Sequence, residues 1–241
     1  MGIYYYLVAG GIVGGIALYL QRKKILKFLK GKKIAVLGER GVGKTTLVHF
    51  LSENLHLLEY EQTLEPKKVK GRSLDLKDLG SQINETLGAG SKQYKIDDLG
   101  DISGGEDSYG LWKREFDQAD IILYLFFGDR LLLGDQTHIK RVKKDVEFLK
   151  AWESERNKKD GKSFFIFGIG THCDRLKDDR WDNKEEWATF LTEFIKEAST
   201  VDVRELTGGK ILLGSMKTLE DTQRLVYRLL GCFVSYLEKN L

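Results

Sequence analysis

The chain of 241 residues is poor in proline and cysteine: one proline, Pro66, and two cysteines, Cys173 and Cys232. Two isolated cysteines exclude a disulfide framework and a cysteine-based zinc site, and they suit a reducing compartment. One proline among 41% hydrophobic residues excludes a proline-rich or disordered chain and fits an ordinary globular body. Internal repeats and low-complexity tracts are missing, so a solenoid is excluded as well. His49, His56 and His138 show no metal-ligand spacing and read as ordinary helix or loop residues. Net charge is small, +3, but uneven: residues 1–33 hold seven bases and no acid. Residues 34–241 keep 32 of the 39 Lys+Arg against all 36 Asp+Glu, a net −4. That body lacks the basic patch of a nucleic-acid binder, so no nucleic-acid partner is expected. The length suits one medium-sized domain and an appendage.

The longest uncharged run is Ile3–Leu20, 18 residues ending before Gln21-Arg22-Lys23-Lys24. As a helix it would cover about 27 Å, close to the bilayer core of about 30 Å. Tyr4, Tyr5, Tyr6 and Tyr19 stand where interfacial aromatics belong, and the bases follow the apolar run. A signal peptide carries its bases first and ends in small residues, so an uncleaved anchor is expected, with everything beyond residue 22 cytoplasmic. Tyr6 occupies the position where a myristoylation signal wants Ser or Thr. Gly10 with Gly14 and Gly11 with Gly15 are either a helix-packing motif for self-association or glycines of ordinary membrane-helix abundance. Residues 22–32 interleave bases with Ile25, Leu26, Phe28 and Leu29, as either a membrane-surface segment or a solvated linker. The expected division is therefore an anchor at 1–21 contacting the lipid bilayer through residues 3–20, a basic linker at 22–32, and a nucleotide-binding domain at 33–241.

The most specific signal is Gly38-Glu39-Arg40-Gly41-Val42-Gly43-Lys44-Thr45, which fits G-x-x-x-x-G-K-[ST]. A short apolar strand, Lys33–Leu37, precedes it, and a helix with Leu47, Leu51, Leu55 and Leu58 on one face follows from Thr46. Strand, glycine-rich turn and helix together cradle phosphate: backbone N–H groups point inward and the helix N-terminus adds its positive end. Lys44 then reaches the terminal phosphates and the Thr45 hydroxyl ligates Mg²⁺. Apolar runs at 33–37, 69–76, 94–101, 121–127, 164–170 and 210–213 read as strands. Helices are expected near 46–58, 109–119, 137–156, 183–199 and 218–239, the alternation of an α/β domain with a largely parallel sheet.

Three further motifs follow in order. D-x-x-G fits twice, at Asp97–Gly100 and Asp101–Gly104. The second is preferred because Gly-Gly-Glu-Asp and Leu111-Trp112-Lys113-Arg114 come after it; Asp101 would hold Mg²⁺ through water, and the Gly104 N–H would meet the γ-phosphate. Thr171-His172-Cys173-Asp174 ends the fifth strand, where ligands gather on open α/β sheets. A carboxylate there accepts from the ring N–H and exocyclic amine of guanine, a donor pair that adenine lacks. Ser215-Met216-Lys217, after Gly214, sits where a backbone N–H would meet the guanine oxygen.

In this order the motifs resemble those of small P-loop GTPases of the Ras and Arf kind, within the translation-factor-related class. The resemblance covers about residues 32–240, and Asp101–Phe127 looks most like Arf proteins. An anchor before such a domain is similar to the signal recognition particle receptor β subunit. The resemblance implies a three-layer α/β fold with a six-stranded, mostly parallel sheet after one transmembrane helix. It implies GTP or GDP as bound nucleotide, Mg²⁺ as cofactor, and a protein effector or receptor as partner. Gly38–Thr46, Gly104, Thr171, His172, Asp174 and Ser215–Lys217 would contact the nucleotide. Thr45, Thr63 and Asp101 would serve the metal. Thr63, in Tyr60–Glu65 and 19 residues after Lys44, resembles the threonine of the first switch.

Departures from the family pattern bear on catalysis. Gly105 stands where many relatives place the glutamine that orients water; Glu106, next along, either positions water or is a solvated residue. His172 replaces the lysine of the guanine motif. Arg40 lies inside the phosphate loop, where it supplies charge to the γ-phosphate, obstructs a partner's arginine or points outward. With Lys44, Glu106 and Arg40 as catalytic groups, the expectation is a single-pass, membrane-anchored GTPase that hydrolyses GTP slowly as a switch. The alternative is a GTP-loaded recruitment module with little or no hydrolysis.

Overall fold

The computed structural model describes residues 32–53, 67–70, 73–74, 94–95, 98–101, 108–159, 164–183, 185–197 and 200–240. Its strands are β1 (Lys33–Gly38), β2 (Lys67–Lys70), β3 (Ser73–Leu74), β4 (Tyr94–Lys95), β5 (Asp98–Asp101), β6 (Ile121–Phe127), β7 (Phe165–Thr171) and β8 (Ile211–Leu213). Its helices are α1 (Lys44–Glu53), α2 (Tyr109–Gln118), α3 (Gly128–Leu132), α4 (Gln136–Lys159), α5 (Trp187–Lys196), α6 (Val201–Thr207) and α7 (Leu219–Asn240).

Strands β1, β6, β7 and β8 form the packed sheet, every pair parallel. Side chains alternate cleanly between its faces. Ile34, Val36, Ile121, Leu123, Leu125, Phe127, Phe167, Ile169 and Leu212 meet α1 and α7 on one side, around Leu47, Phe50, Val226, Leu229 and Phe233. Ala35, Leu37, Ile122, Tyr124, Phe126, Ile166, Ile211 and Leu213 face the other side, against Trp112 and Phe116 of α2, Val142, Val146 and Leu149 of α4, and Val203 and Leu206 of α6. A sheet covered on both faces explains why β6 reads Ile-Ile-Leu-Tyr-Leu-Phe-Phe without a polar break. Beyond β1, β5 pairs parallel and β2 pairs antiparallel to β5, so the backbone ladder runs β2-β5-β1-β6-β7-β8. The short strands β3 and β4 pair separately.

Two expectations are corrected. The sheet that carries the described core is four-stranded and all parallel, where a six-stranded, mostly parallel sheet was expected; β5 and β2 extend only its backbone ladder. The expected strands at 69–76 and 94–101 instead each appear as two short pieces, β2 with β3 and β4 with β5. Among the described residues no helix is long and apolar enough to cross a membrane, against the expected transmembrane helix and single-pass membrane location. The two longest, α4 with 24 residues and α7 with 22, carry charged residues such as Lys143, Lys144, Glu220 and Arg224. Ile3–Leu20, the Gly10–Gly15 pairs and all of the linker at 22–32 except Lys32 lie outside the described residues.

Register, helix termini and tight approaches orient the carboxyl edge of the sheet. Asp120, between α2 and β6, accepts from the Lys33 N–H at 2.9 Å and so ties the start of β1 to the loop before β6. Arg156, buried on α4, donates to the carbonyls of Phe116 at 2.8 Å and Ala119 at 2.7 Å at the end of α2. At the opposite edge, Gly170 lies where β7 comes closest to its neighbours. A Cβ there would stand 2.6 Å from Leu213 Cδ2 and 2.9 Å from Phe126 Cε2. Gly170→Ala is therefore expected to destabilise the chain by about 1–3 kcal/mol through overpacking. Urea unfolding should show a lower midpoint at unchanged slope; an unmoved midpoint counts against this packing.

Candidate functional site

The site begins where β1 stops. Gly38 takes φ 149° and Gly43 takes φ 97°, backbone that L side chains rarely adopt, and a Cβ on Gly43 would run into Met216 Cε. Between them the chain turns, with the Val42 N–H on the Glu39 carbonyl at 3.4 Å, and α1 starts with the Leu47 N–H on the Gly43 carbonyl at 3.0 Å. A helix N-terminus that follows a glycine turn in this way is a general setting for anions. Lys44 opens that helix. It is only 6% exposed, and its ammonium donates to the Glu39 carbonyl at 3.0 Å, so the charge is folded back over the loop. Thr45 and Thr46 are half-buried beside it, while Arg40 is exposed at the turn.

Strand β7 brings a second loop to this one. Thr171, fully buried, donates through Oγ1 to the Val42 carbonyl at 3.0 Å, bridging 129 residues, and also approaches the Phe126 carbonyl at 3.3 Å. Beyond it, His172 adopts a left-handed backbone, φ 61°, uncommon outside glycine. Its Nδ1 lies 2.8 Å from Thr171 Oγ1 and its ring packs 4.8 Å from the Phe127 ring. Burial first, then the nearby Arg175 charge, lower the His172 pKa, which keeps the ring neutral near pH 7.

The loop after β8 joins the same cluster. The Cys173 N–H donates to the Gly214 carbonyl at 3.1 Å and the Gly214 N–H to the Gly170 carbonyl at 3.0 Å. Ser215, 1% exposed, donates Oγ–H to Asp174 Oδ1 at 2.8 Å and accepts the Lys217 N–H at 3.0 Å. The Lys217 ammonium lies 3.8 Å from Asp174 Oδ2 on a largely exposed side chain. Met216 reaches Gly43, so residues 38–45, 171–174 and 215–217 form one contiguous edge.

Register sorts the two D-x-x-G fits. Asp101 is opposite Val36 at the carboxyl end of β5, whereas Asp98 is opposite Lys33 at the far end. Asp101 therefore lies at the edge that carries the Gly38–Lys44 turn, and Asp97 lies outside the described residues. Thr63, Gly104, Gly105 and Glu106 also lie outside them. No group of three or more His, Cys, Asp or Glu able to hold a metal occurs among the described residues.

Sequence reading missed the residues behind the loop. His138, taken for an ordinary residue, is 2% exposed on α4, and its Nδ1 lies 2.9 Å from Glu39 Oε2. Two turns on, Asp145 accepts from Tyr109 at 2.5 Å, Arg141 Nε at 2.8 Å and Tyr124 at 3.1 Å. Its burial raises its pKa, against the pull of those donors. A signal was present: His138, Val142, Asp145, Leu149, Trp152 and Arg156 recur at helical spacing on the apolar stripe of α4. Polar residues on such a stripe are buried and need partners.

The hydrogen bond from His138 lowers the Glu39 pKa, opposed by burial and helped by the charges of His138, Arg141 and Arg130. A carboxyl depressed on folding stabilises the fold above its unfolded pKa, and that contribution is lost as pH falls through the lower folded value. The stability difference between wild type and Glu39→Gln should therefore be full near about pH 6 and vanish on acidification below the ordinary carboxylate range. Thermal melts across that range check it; a difference independent of pH contradicts the pairing. Compared with protein-family models and with curated proteins, the chain matches none.

Proposed function

We infer that the chain is a guanine-nucleotide-binding protein that hydrolyses GTP slowly as a molecular switch. One observation carries this reading: the Thr171 hydroxyl donates at 3.0 Å to a carbonyl of the phosphate loop, so the loop with Asp174 is fastened directly to the loop with Lys44. A single purine triphosphate lying along that edge would meet an anion cradle at one end and a carboxylate at the other. The amides of Gly41–Thr45 and the Lys44 ammonium would take the phosphates. Lys44 would exchange the Glu39 carbonyl for phosphate oxygen, a stronger, charge-assisted partner.

Asp174 would read the base. Ser215 holds one carboxylate oxygen at 2.8 Å, which orients the group and leaves its remaining lone pairs for the paired donors of guanine. The loop after Gly214 would present a backbone N–H to the guanine oxygen. Mg²⁺ fits this donor set, since it keeps several waters and needs few protein ligands beside substrate phosphates. Thr45 would hold it directly and Asp101 through water, and the ion would neutralise charge developing on the phosphates. Hydrolysis is proposed to be slow because Gly105 replaces the glutamine that orients water in many relatives of the Ras and Arf kind. Multiple turnovers of phosphate release, lost in Glu106→Ala, would support catalysis; GTP retained after long incubation favours the alternative, a loaded recruitment module.

The decisive measurement is the affinity of the full chain for GTP against ATP. GTP should bind at least about tenfold tighter, a difference of about 1.4 kcal/mol. Lys44→Ala should lose triphosphate binding by a further order of magnitude. Asp174→Asn should erase the preference for guanine and move it toward xanthosine triphosphate, because the amide donates where the carboxylate accepted. Equal binding of ATP and GTP by wild type would sink this reading.

A further inference from the structure

A carboxylate is out of place in a loop built for phosphate. Glu39 sits between Gly38 and Arg40, and free in that turn its charge would oppose any polyanion. The chain divides the residue in two. Its carbonyl accepts the Lys44 ammonium at 3.0 Å, inside the loop. Its carboxylate is drawn the other way, to His138 Nδ1 at 2.9 Å, 99 residues distant in sequence.

His138 is equipped to keep it there. The side chain is 1% exposed, and its ring stands edge-on to Phe127 at 5.4 Å, which fixes its plane. Its Nε2 has no hydrogen-bond partner among the described residues, so Glu39 is the contact that repays burial of the imidazole. Nδ1–H donating to the carboxylate is the arrangement that this geometry favours. Arg141, one turn along α4, and Arg130 on α3 add positive charge toward the same carboxylate. Asp145 does not compete for the histidine, being engaged by Tyr109, Tyr124 and Arg141.

We propose that His138 is a positioning residue for triphosphate binding: it holds the Glu39 carboxylate against α4, off the phosphate cradle, and so keeps the loop's own negative charge from the ligand. This rests on the reading of Gly38–Thr45 as a nucleotide phosphate loop. It predicts a suppressor relation that packing alone does not. Removing the histidine's donor releases a negative charge beside the cradle and weakens binding; removing that charge as well restores it.

The test uses the full chain with two probes, a fluorescent GTP analogue and inorganic tripolyphosphate. His138→Phe, which keeps a ring against Phe127 but has no N–H, should weaken both by about tenfold, the usual worth of a charge-assisted hydrogen bond. His138→Gln, which can still donate, should stay within about threefold of wild type, and Glu39→Gln added to His138→Phe should return affinity to that range. His138→Leu, measured alongside with the same Glu39→Gln suppressor, gives the reading if His138→Phe fails to fold. In the nucleotide-free chain the Gly41 and Gly43 amide resonances should shift in either donor-less variant. Wild-type binding with unaffected variants, with no rescue by Glu39→Gln, or with unmoved glycine amides overturns the positioning role alone. A wild type that binds neither probe sinks the nucleotide reading, and this role with it.

Discussion

The parallel sheet directs all its carboxyl ends to one edge, and everything at that edge depends on the buried hydrogen bond between Thr171 Oγ1 and the Val42 carbonyl. Strands β1 and β7 are not neighbours; β6 lies between them, so their loops would be separated by two strand spacings without a bridge. Thr171 spans the gap because β6 ends in Phe127 and the chain turns at once into α3, where Gly128 passes close over Gly170 and Thr171. A fully buried hydroxyl with two carbonyls in reach is satisfied, and a satisfied polar group in a packed interior specifies geometry as firmly as packing does.

Around that bridge the site is stiff where a ligand would need shape and adjustable where it would need charge. Gly38 and Gly43 leave no room for side chains, and Met216 closes over Gly43. Ser215 is buried and fixes one oxygen of Asp174, whereas Lys217 touches the other from an exposed, long side chain. Lys44 is likewise parked on a backbone carbonyl, a contact easily exchanged for a charged oxygen. The contacts of the two lysines are thus exchangeable, and the buried bonds of Thr171 and Ser215 are the scaffold.

Helix α4 links the two roles. Its apolar stripe packs under the sheet through Val142, Val146 and Leu149, and the same stripe carries His138 to Glu39 in the turn after β1 and Asp145 to the start of α2. Buried polar groups of this kind cost stability unless each finds its partner, which makes their placement exact in register along the helix. The helix therefore supports the edge from beneath by packing and reaches it by two hydrogen-bonded side chains.

Much of this was legible before any coordinates. The strand at 33–37, the glycine turn and the helix after it were readable because local spacing and φ preferences specify them. The strands at 121–127 and 164–170 and the long helices were readable because their apolar runs are long and periodic. The breaks that split 69–76 and 94–101 into short pieces, and the extra helices α3 and α6, were not, since short segments carry weak periodic signal and tertiary pairing decides them. The sequence by itself determined where a glycine turn joins the first strand to a helix and which carboxylate and hydroxyls end the later strands, because those depend on neighbours a few positions away. Only the tertiary structure decided that Thr171 would hold Val42, that Ser215 would hold Asp174 and that His138 would hold Glu39. Such contacts join residues 41 to 129 positions apart, and no local pattern encodes which buried donor will meet which buried acceptor once the sheet closes.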